Sequence, residues 1–290
     1  MSVALAILTA VMFGSTTVAI RLGFRRPVAE NMAALSPLIV STALAVPAGL
    51  VSLPFTGGHD LRGLWRFALA GLVAPGASQL FFMPAVRYAG AARVGILIGM
   101  APVFSAGLAI LALGEPLRAV LVVATGLIVV GGALLAWDPS RPEGFRRIGL
   151  LFGAVAALLF AGQAVMLRWA STGRSIPPLA ALAVMVATGA AVPLLVLGLS
   201  RGRAAFAGAR PALKAFWPAG VLFTAASLGF VLAYKYGRVV IVAPLTATES
   251  MWTIVFAALL IGINRDAITR RVLGACVLIV IGGVLVGVAA

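Results

Sequence analysis

Charge and reactive side chains are scarce in this chain. Only 10% of its 290 residues are charged, against about 25% in a typical soluble domain. It has one Cys (Cys276), one His (His59) and seven acids: Glu30, Asp60, Glu115, Asp138, Glu143, Glu249 and Asp266. A single Cys excludes an intrachain disulfide framework. A single His excludes an HExxH zinc site, and the scattered acids form no aspartate-rich cluster for Mg²⁺. No catalytic residue, metal or cofactor is therefore expected. A membrane enzyme acting on lipids would want a nucleophile–base pair, and the only imidazole, His59, reads as a loop residue. No basic segment precedes the first apolar stretch, which begins at Ser2, so the first helix is expected to stay as a span rather than be cleaved.

What is abundant is apolar. Hydrophobic residues make up 62% of the chain, with 33 Gly, and the mean hydropathy is +1.15. These values describe an all-α integral membrane protein whose first partner is the lipid bilayer. The net charge of +15 is not a nucleic-acid signal. The basic residues sit in short loops and at helix ends, where they anchor and orient spans. Apolar runs of about 20 residues, the length needed to cross a bilayer, predict ten transmembrane helices: 3–20, 32–53, 64–86, 91–113, 117–137, 148–170, 177–199, 212–236, 239–262 and 267–289. Spans 2 and 3 contain Pro37, Pro47, Pro75 and Pro84, which membrane helices tolerate where neighbours satisfy the freed carbonyls. Pro75 and Pro84 are expected kinks.

The halves repeat. At an offset of 148, Arg87-Tyr88 matches Lys235-Tyr236, Phe104-Ser105 matches Trp252-Thr253, and Gly114 and Gly126 match Gly262 and Gly274. Arg21 matches Arg168 at 147. The expected organisation is a first repeat over 1–137, a linker over 138–147 and a second repeat over 148–290. Five spans per half is odd, so the second repeat enters the membrane the other way up. That gives two inverted five-helix repeats, with a substrate site near the midplane between them.

The densest chemistry lies in 239–262. Thr246, Glu249, Trp252, Thr253 and Phe256 recur at helical spacing and share one face, read here as the wall of an internal cavity. Glu249 falls near the middle of the span, where an ionised carboxylate costs a few kcal/mol at least. Two readings stand. It couples transport to protons or binds a cation, or it is a hydrogen-bonded tie to a neighbouring helix. Thr16, Gln79 and Gln163 are further polar groups at membrane depth, with Thr16 and Gln163 at matching places in the halves. Phe104, Trp169 and Tyr234 are further candidate aromatic walls. Arg87 and Lys235 read either as snorkelling anchors or as an anion clamp. Gly95-xxx-Gly99 and Gly283-xxx-Gly287 permit close helix crossings.

Gly99-Met100-Ala101-Pro102-Val103-Phe104, Leu113-Gly114-Glu115-Pro116-Leu117, Gly126 and Gly131-Gly132 resemble the signature of EamA-type members of the drug/metabolite transporter superfamily. In the second half, Ala243-Pro244-Leu245-Thr246-Ala247 and Thr253 resemble its repeat. The chain departs from the pattern at Ser250, where Pro is usual, which implies a straighter span 9. It departs again at Ile263-Asn264, which replaces the second Gly-Glu. The resemblance implies a ten-helix secondary transporter in the plasma (inner) membrane, exporting small polar or amphipathic metabolites such as amino acids by alternating access. Protons are the candidate coupling partner, and the protein is expected as a monomer or weak homodimer. Bending is expected near Pro102 and Pro244. The alternatives are an anion or phosphorylated-metabolite exchanger using Arg87 and Lys235, as basic residues act in the related triose-phosphate translocators, and a passive channel. The resemblance puts both termini in the cytoplasm. The charge count disagrees: 15 of the 22 Lys and Arg lie in loops after odd-numbered spans, which places those loops in the cytoplasm.

Overall fold

The computed structural model describes residues 1–28, 30–55, 61–116, 118–137, 146–173, 175–202, 206–262 and 270–289. His59, Asp60, Asp138, Glu143, Asp266, Ile263-Asn264 and most of the expected linker lie outside them. All regular elements among the described residues are helical. Ten helical stretches are long and apolar enough to cross a membrane: Ser2–Gly23, Met32–Phe55, Leu61–Ala89, Arg93–Leu113, Ala119–Ala136, Ile148–Ser171, Pro178–Ser200, Ala209–Tyr236, Val239–Leu260 and Arg271–Ala289. Each answers to one expected span. The protein is a multi-pass integral membrane protein. Ten crossings return the chain to the side on which it starts, called here the terminus side.

Seven spans are carried by single long helices: α1 (Ser2–Gly23), α2 (Glu30–Ser52), α7 (Ala119–Ala136), α8 (Ile148–Ser171), α9 (Pro178–Arg201), α10 (Ala209–Tyr236) and α13 (Arg270–Ala289). Three spans are broken. Span 3 comprises α3 (Leu64–Gly71) and α4 (Ser78–Ala89), joined through Ala74, whose backbone is extended (φ −147°, ψ 134°). Pro75 supplies no amide to the ladder there. Pro84 makes no second break, since α4 runs through it. Span 4 comprises α5 (Ala91–Gly99) and α6 (Ala101–Leu113), parted at Met100 with Pro102 in the first turn of α6. Span 9 comprises α11 (Val239–Thr246) and α12 (Glu249–Ala257), parted at Ala247-Thr248. The Thr248 amide bonds three residues back, to the Leu245 carbonyl, so the Pro244 carbonyl loses its usual i+4 donor. Span 9 is thus not straightened by Ser250, because Pro244 lies upstream and cannot itself donate.

The two breaks match: α6 begins at Ala101 and α12 at Glu249, 148 residues apart. The break also divides the face expected over 239–262. Thr246 ends the buried half-helix, whereas Glu249, Trp252, Thr253 and Phe256 belong to the other.

Packing differs along the membrane normal. Every residue of α11 is buried, within a core that includes Ile176, Leu182, Val231, Tyr234 and Leu245. In α12 only Ala257 is buried. The terminus side is therefore tightly closed and the far half of span 9 is looser. Around this axis α1 packs on α10 and α12, α7 on α13, α2 on α9 and α10, and α4 on α8.

Candidate functional site

The closed side is organised by a carboxylate that sequence reasoning assigned only to a motif. Gly114 ends α6 in the left-handed region (φ 65°), a conformation that glycine adopts at no steric cost. The chain turns there and carries Glu115 beneath the start of α11. Glu115 Oε1 accepts the Val239 amide at 2.9 Å and Oε2 accepts the Val240 amide at 3.1 Å. Arg238, which precedes α11, offers no side-chain cap. A residue from span 4 thus caps a half-helix of span 9, where a negative charge meets the positive end of the helix dipole. Such charge-assisted bonds are each worth roughly 1.5–3 kcal/mol.

Arg168, near the end of α8, completes the cluster. Its Nε lies 3.9 Å from Glu115 Oε1, and a terminal nitrogen donates to the Tyr234 and Lys235 carbonyls at 3.2 and 3.3 Å. These are the last carbonyls of α10, a favourable place for a cation. Lys235 Nζ donates to the Ile176 carbonyl at 3.4 Å. Spans 4, 6, 8 and 9 are thereby pinned together by polar bonds on one side of the membrane. The pattern could have been suspected from Gly114-Glu115-Pro116 and the apolar-flanked Arg168, two opposite charges at span ends on the same side.

Glu249 stands just beyond this closed layer. It is the first residue of α12, so it too meets a helix N-terminus. Its carboxylate makes no hydrogen bond or ion pair with any described residue, and it is half-buried. The backbone around it is pressed against α1. A Cβ built on Gly14 would lie 2.8 Å from Trp252 Cβ, 2.9 Å from the Thr253 backbone nitrogen and 3.0 Å from the Glu249 backbone carbonyl oxygen. Trp252 stacks on Phe256 with centroids 6.3 Å apart, and the Thr253 hydroxyl donates to the Glu249 carbonyl at 2.9 Å. The structure therefore brings Glu249, Trp252 and Thr253 together.

The other expected residues sit elsewhere. Thr246 is buried and donates to the Ala243 carbonyl at 2.9 Å. Thr16 is buried and donates to the Met12 carbonyl at 2.8 Å. Gln163 is buried, and its Nε2 donates to the Ala74 carbonyl at the break in span 3, so this amide satisfies the group that the kink frees. Gln79, on α4, is half-buried and makes no hydrogen bond to a described residue. Trp169 is covered by the Arg66 guanidinium, 4.1 Å from its ring centroid, and Tyr234 packs edge-on against Phe230.

Arg87 and Lys235 are not brought together. Arg87 adjoins Tyr88, whose carbonyl accepts the Arg146 amide just before α8. Lys235 reaches Ile176, beyond the other end of α8. The 24 residues of α8 span about 36 Å at 1.5 Å per residue. One substrate cannot touch both residues, so they form no common clamp.

The chain thus has ten spans, three of them broken, with a half-helix of span 9 capped by a residue of span 4. Residues 1–137 match the EamA-like transporter family. The first half of the chain is accordingly similar to an EamA-like unit of the drug/metabolite transporter type, and the match ends one residue past α7. A crystal structure of another protein superposes with a TM-score of 0.75 over 100% of this chain and 97% of its own, at 17% identity. That likeness establishes the shared fold. No curated protein matches the sequence.

Proposed function

We propose that the protein is a secondary active transporter, working as two inverted five-helix repeats that alternate access to a central site at the span 4 and span 9 breaks. The observation that carries this reading is the Glu249 carboxylate, without a partner among the described residues, at the start of a half-helix directly beyond a fully buried α11. An intramembrane carboxylate without a partner is a functional-site hypothesis by default. At this place it meets substrate or protons from the looser side while the Glu115 layer seals the other. The cargo is a small polar or amphipathic metabolite such as an amino acid, whose amine Glu249 attracts. Trp252 and Thr253 line its approach. Export from the cell, out of the inner membrane, is the direction that the family resemblance implies, with protons moving the opposite way.

The exchanger reading loses its clamp, because Arg87 and Lys235 lie at opposite ends of α8. The buried α11 argues against a continuously open channel.

Proteoliposome flux tests the proposal, run with an amino-acid and metabolite panel, with and without a pH gradient, on wild type and Glu249→Gln. An opposing proton gradient should accelerate wild-type flux. The variant should lose that acceleration yet still exchange substrate. Equal, gradient-independent flux in both proteins would remove Glu249 from the mechanism.

A further inference from the structure

Away from this axis, α2 and the first two turns of α10 leave an open crevice of about 590 Å³ between them, lined by Ile39, Val40 and Ala43 on one wall and by Arg210, Leu213, Lys214 and Trp217 on the other. That volume falls in the range of about 300–1,000 Å³ typical of small-molecule sites. The crevice follows from the packing. At Gly220 the α10 backbone sits directly on α2, where an added Cβ would lie 2.4 Å from Val40 Cβ. Ala215 and Phe216 are buried with Ala33, whereas Arg210, Lys214 and Trp217 are exposed. Spacings of four and three place these last three on one helical face. The trough is therefore apolar along its length and cationic at its mouth.

Neither Arg210 nor Lys214 makes a hydrogen bond or ion pair with a described residue. Both stand in the first two turns of α10, after Gly208, where the helix dipole adds a further positive field. Trp217, one turn deeper, has the amphipathic ring that membrane interfaces favour.

We infer that this crevice is a binding site for an anionic phospholipid. Arg210 and Lys214 hold the headgroup phosphate, and an acyl chain lies in the trough over Val40 and Ala43 beside Trp217. Charge complementarity selects this occupant. The site opens on the side that carries 15 of the 22 basic residues, and clusters of Lys and Arg at a membrane surface attract the anionic leaflet. A zwitterionic lipid fills the trough but brings a cation of its own beside Arg210 and Lys214, so its net attraction to them is weaker. A soluble phosphate satisfies the cations and leaves the trough empty.

The test is native mass spectrometry of the full-length protein released from vesicles of phosphatidylcholine with phosphatidylglycerol. Wild type should retain phosphatidylglycerol in preference to phosphatidylcholine. The double variant Arg210→Gln/Lys214→Gln should lose that preference by roughly thirty-fold, as expected for two basic residues at the surface. The double variant Arg25→Gln/Arg26→Gln, which removes the same charge from the same side, should keep it. Ala43→Trp, which fills the trough and spares both cations, should lose retention. It also stands in as the measurement should the charge variant fail to fold. Equal loss in both charge variants overturns the site in favour of a diffuse charge effect. Displacement of the lipid by glycerol phosphate alone at matched concentration overturns it in favour of a soluble ligand. A dimer that Ala43→Trp dissolves, with no retained lipid, overturns it in favour of a second copy of the chain.

Discussion

The Arg168 guanidinium and the Glu115 carboxylate approach to 3.9 Å at the point where spans 4, 6, 8 and 9 converge. Glu115 also holds the first amides of α11. If the protein works as proposed, it must break these bonds to open on this side. Glu115→Ala leaves two backbone amides without an acceptor and takes the counter-charge from Arg168, which keeps only its carbonyl acceptors, a loss of roughly 3–5 kcal/mol when a partly buried charge loses its partner. The expected result is a shift toward opening on the terminus side. In a Cys276→Ser background, a cysteine at Val240 should react with a membrane-impermeant maleimide at least about tenfold faster once Glu115 is replaced, since 1.4 kcal/mol already corresponds to tenfold. Unchanged labelling would mean that the bonds cap a helix and gate nothing.

Gly14 is the contact through which α1 reaches the Glu249 segment. A Cβ there falls inside ordinary contact distance of Trp252 and of two backbone atoms, and backbone cannot swing aside as a flexible side chain can. Gly14→Leu should therefore prevent α1 from seating against α12. Size-exclusion profiles in detergent should show little monodisperse protein, whereas Gly99→Leu, with open space at its Cβ, should remain well behaved.

Gln163→Leu separates a structural tie from a substrate contact. It leaves the Ala74 carbonyl without its donor, at a cost of about 0.6 kcal/mol by membrane averages and up to about 3 kcal/mol if no other donor arrives. Thermal stability in detergent should fall while KM stays at the wild-type value. A raised KM with unchanged stability would instead put Gln163 in the substrate path.

Arg87→Gln and Lys235→Gln should act independently. Separated by the length of α8, they share no partner, and distant sites combine additively within about 0.5 kcal/mol. The double variant's flux should therefore equal the product of the single effects. Strong non-additivity would revive a shared anion site.

Much of the fold was readable because bilayer length and hydropathy are crude but strong constraints. All ten spans appear, and the repeat offset taken from Phe104-Ser105 and Trp252-Thr253 also relates the breaks before Ala101 and Glu249. What hydropathy could not show was where a span stops being one helix. Pro75 breaks span 3, yet Pro84 is absorbed within α4. Pro102 and Pro244 mark breaks that lie two or three residues away from them. The helical face drawn through Thr246 and Glu249 failed for this reason, since spacing arguments assume an unbroken ladder. Glu115 was legible only as a motif letter. Its role depends on Gly114 turning it under a helix 124 residues later in the chain, a relationship that no local pattern contains.

The matched breaks carry unlike residues: α6 opens with Ala101 and α12 with Glu249. Whatever pseudo-symmetry the backbone has, its chemistry has a front and a back. Molecules inserted in opposite senses into vesicles are then two different samples under one imposed gradient. Flux records from mixed insertions should resolve into two kinetic components, and sealing one population from one side with an impermeant reagent should leave the other intact.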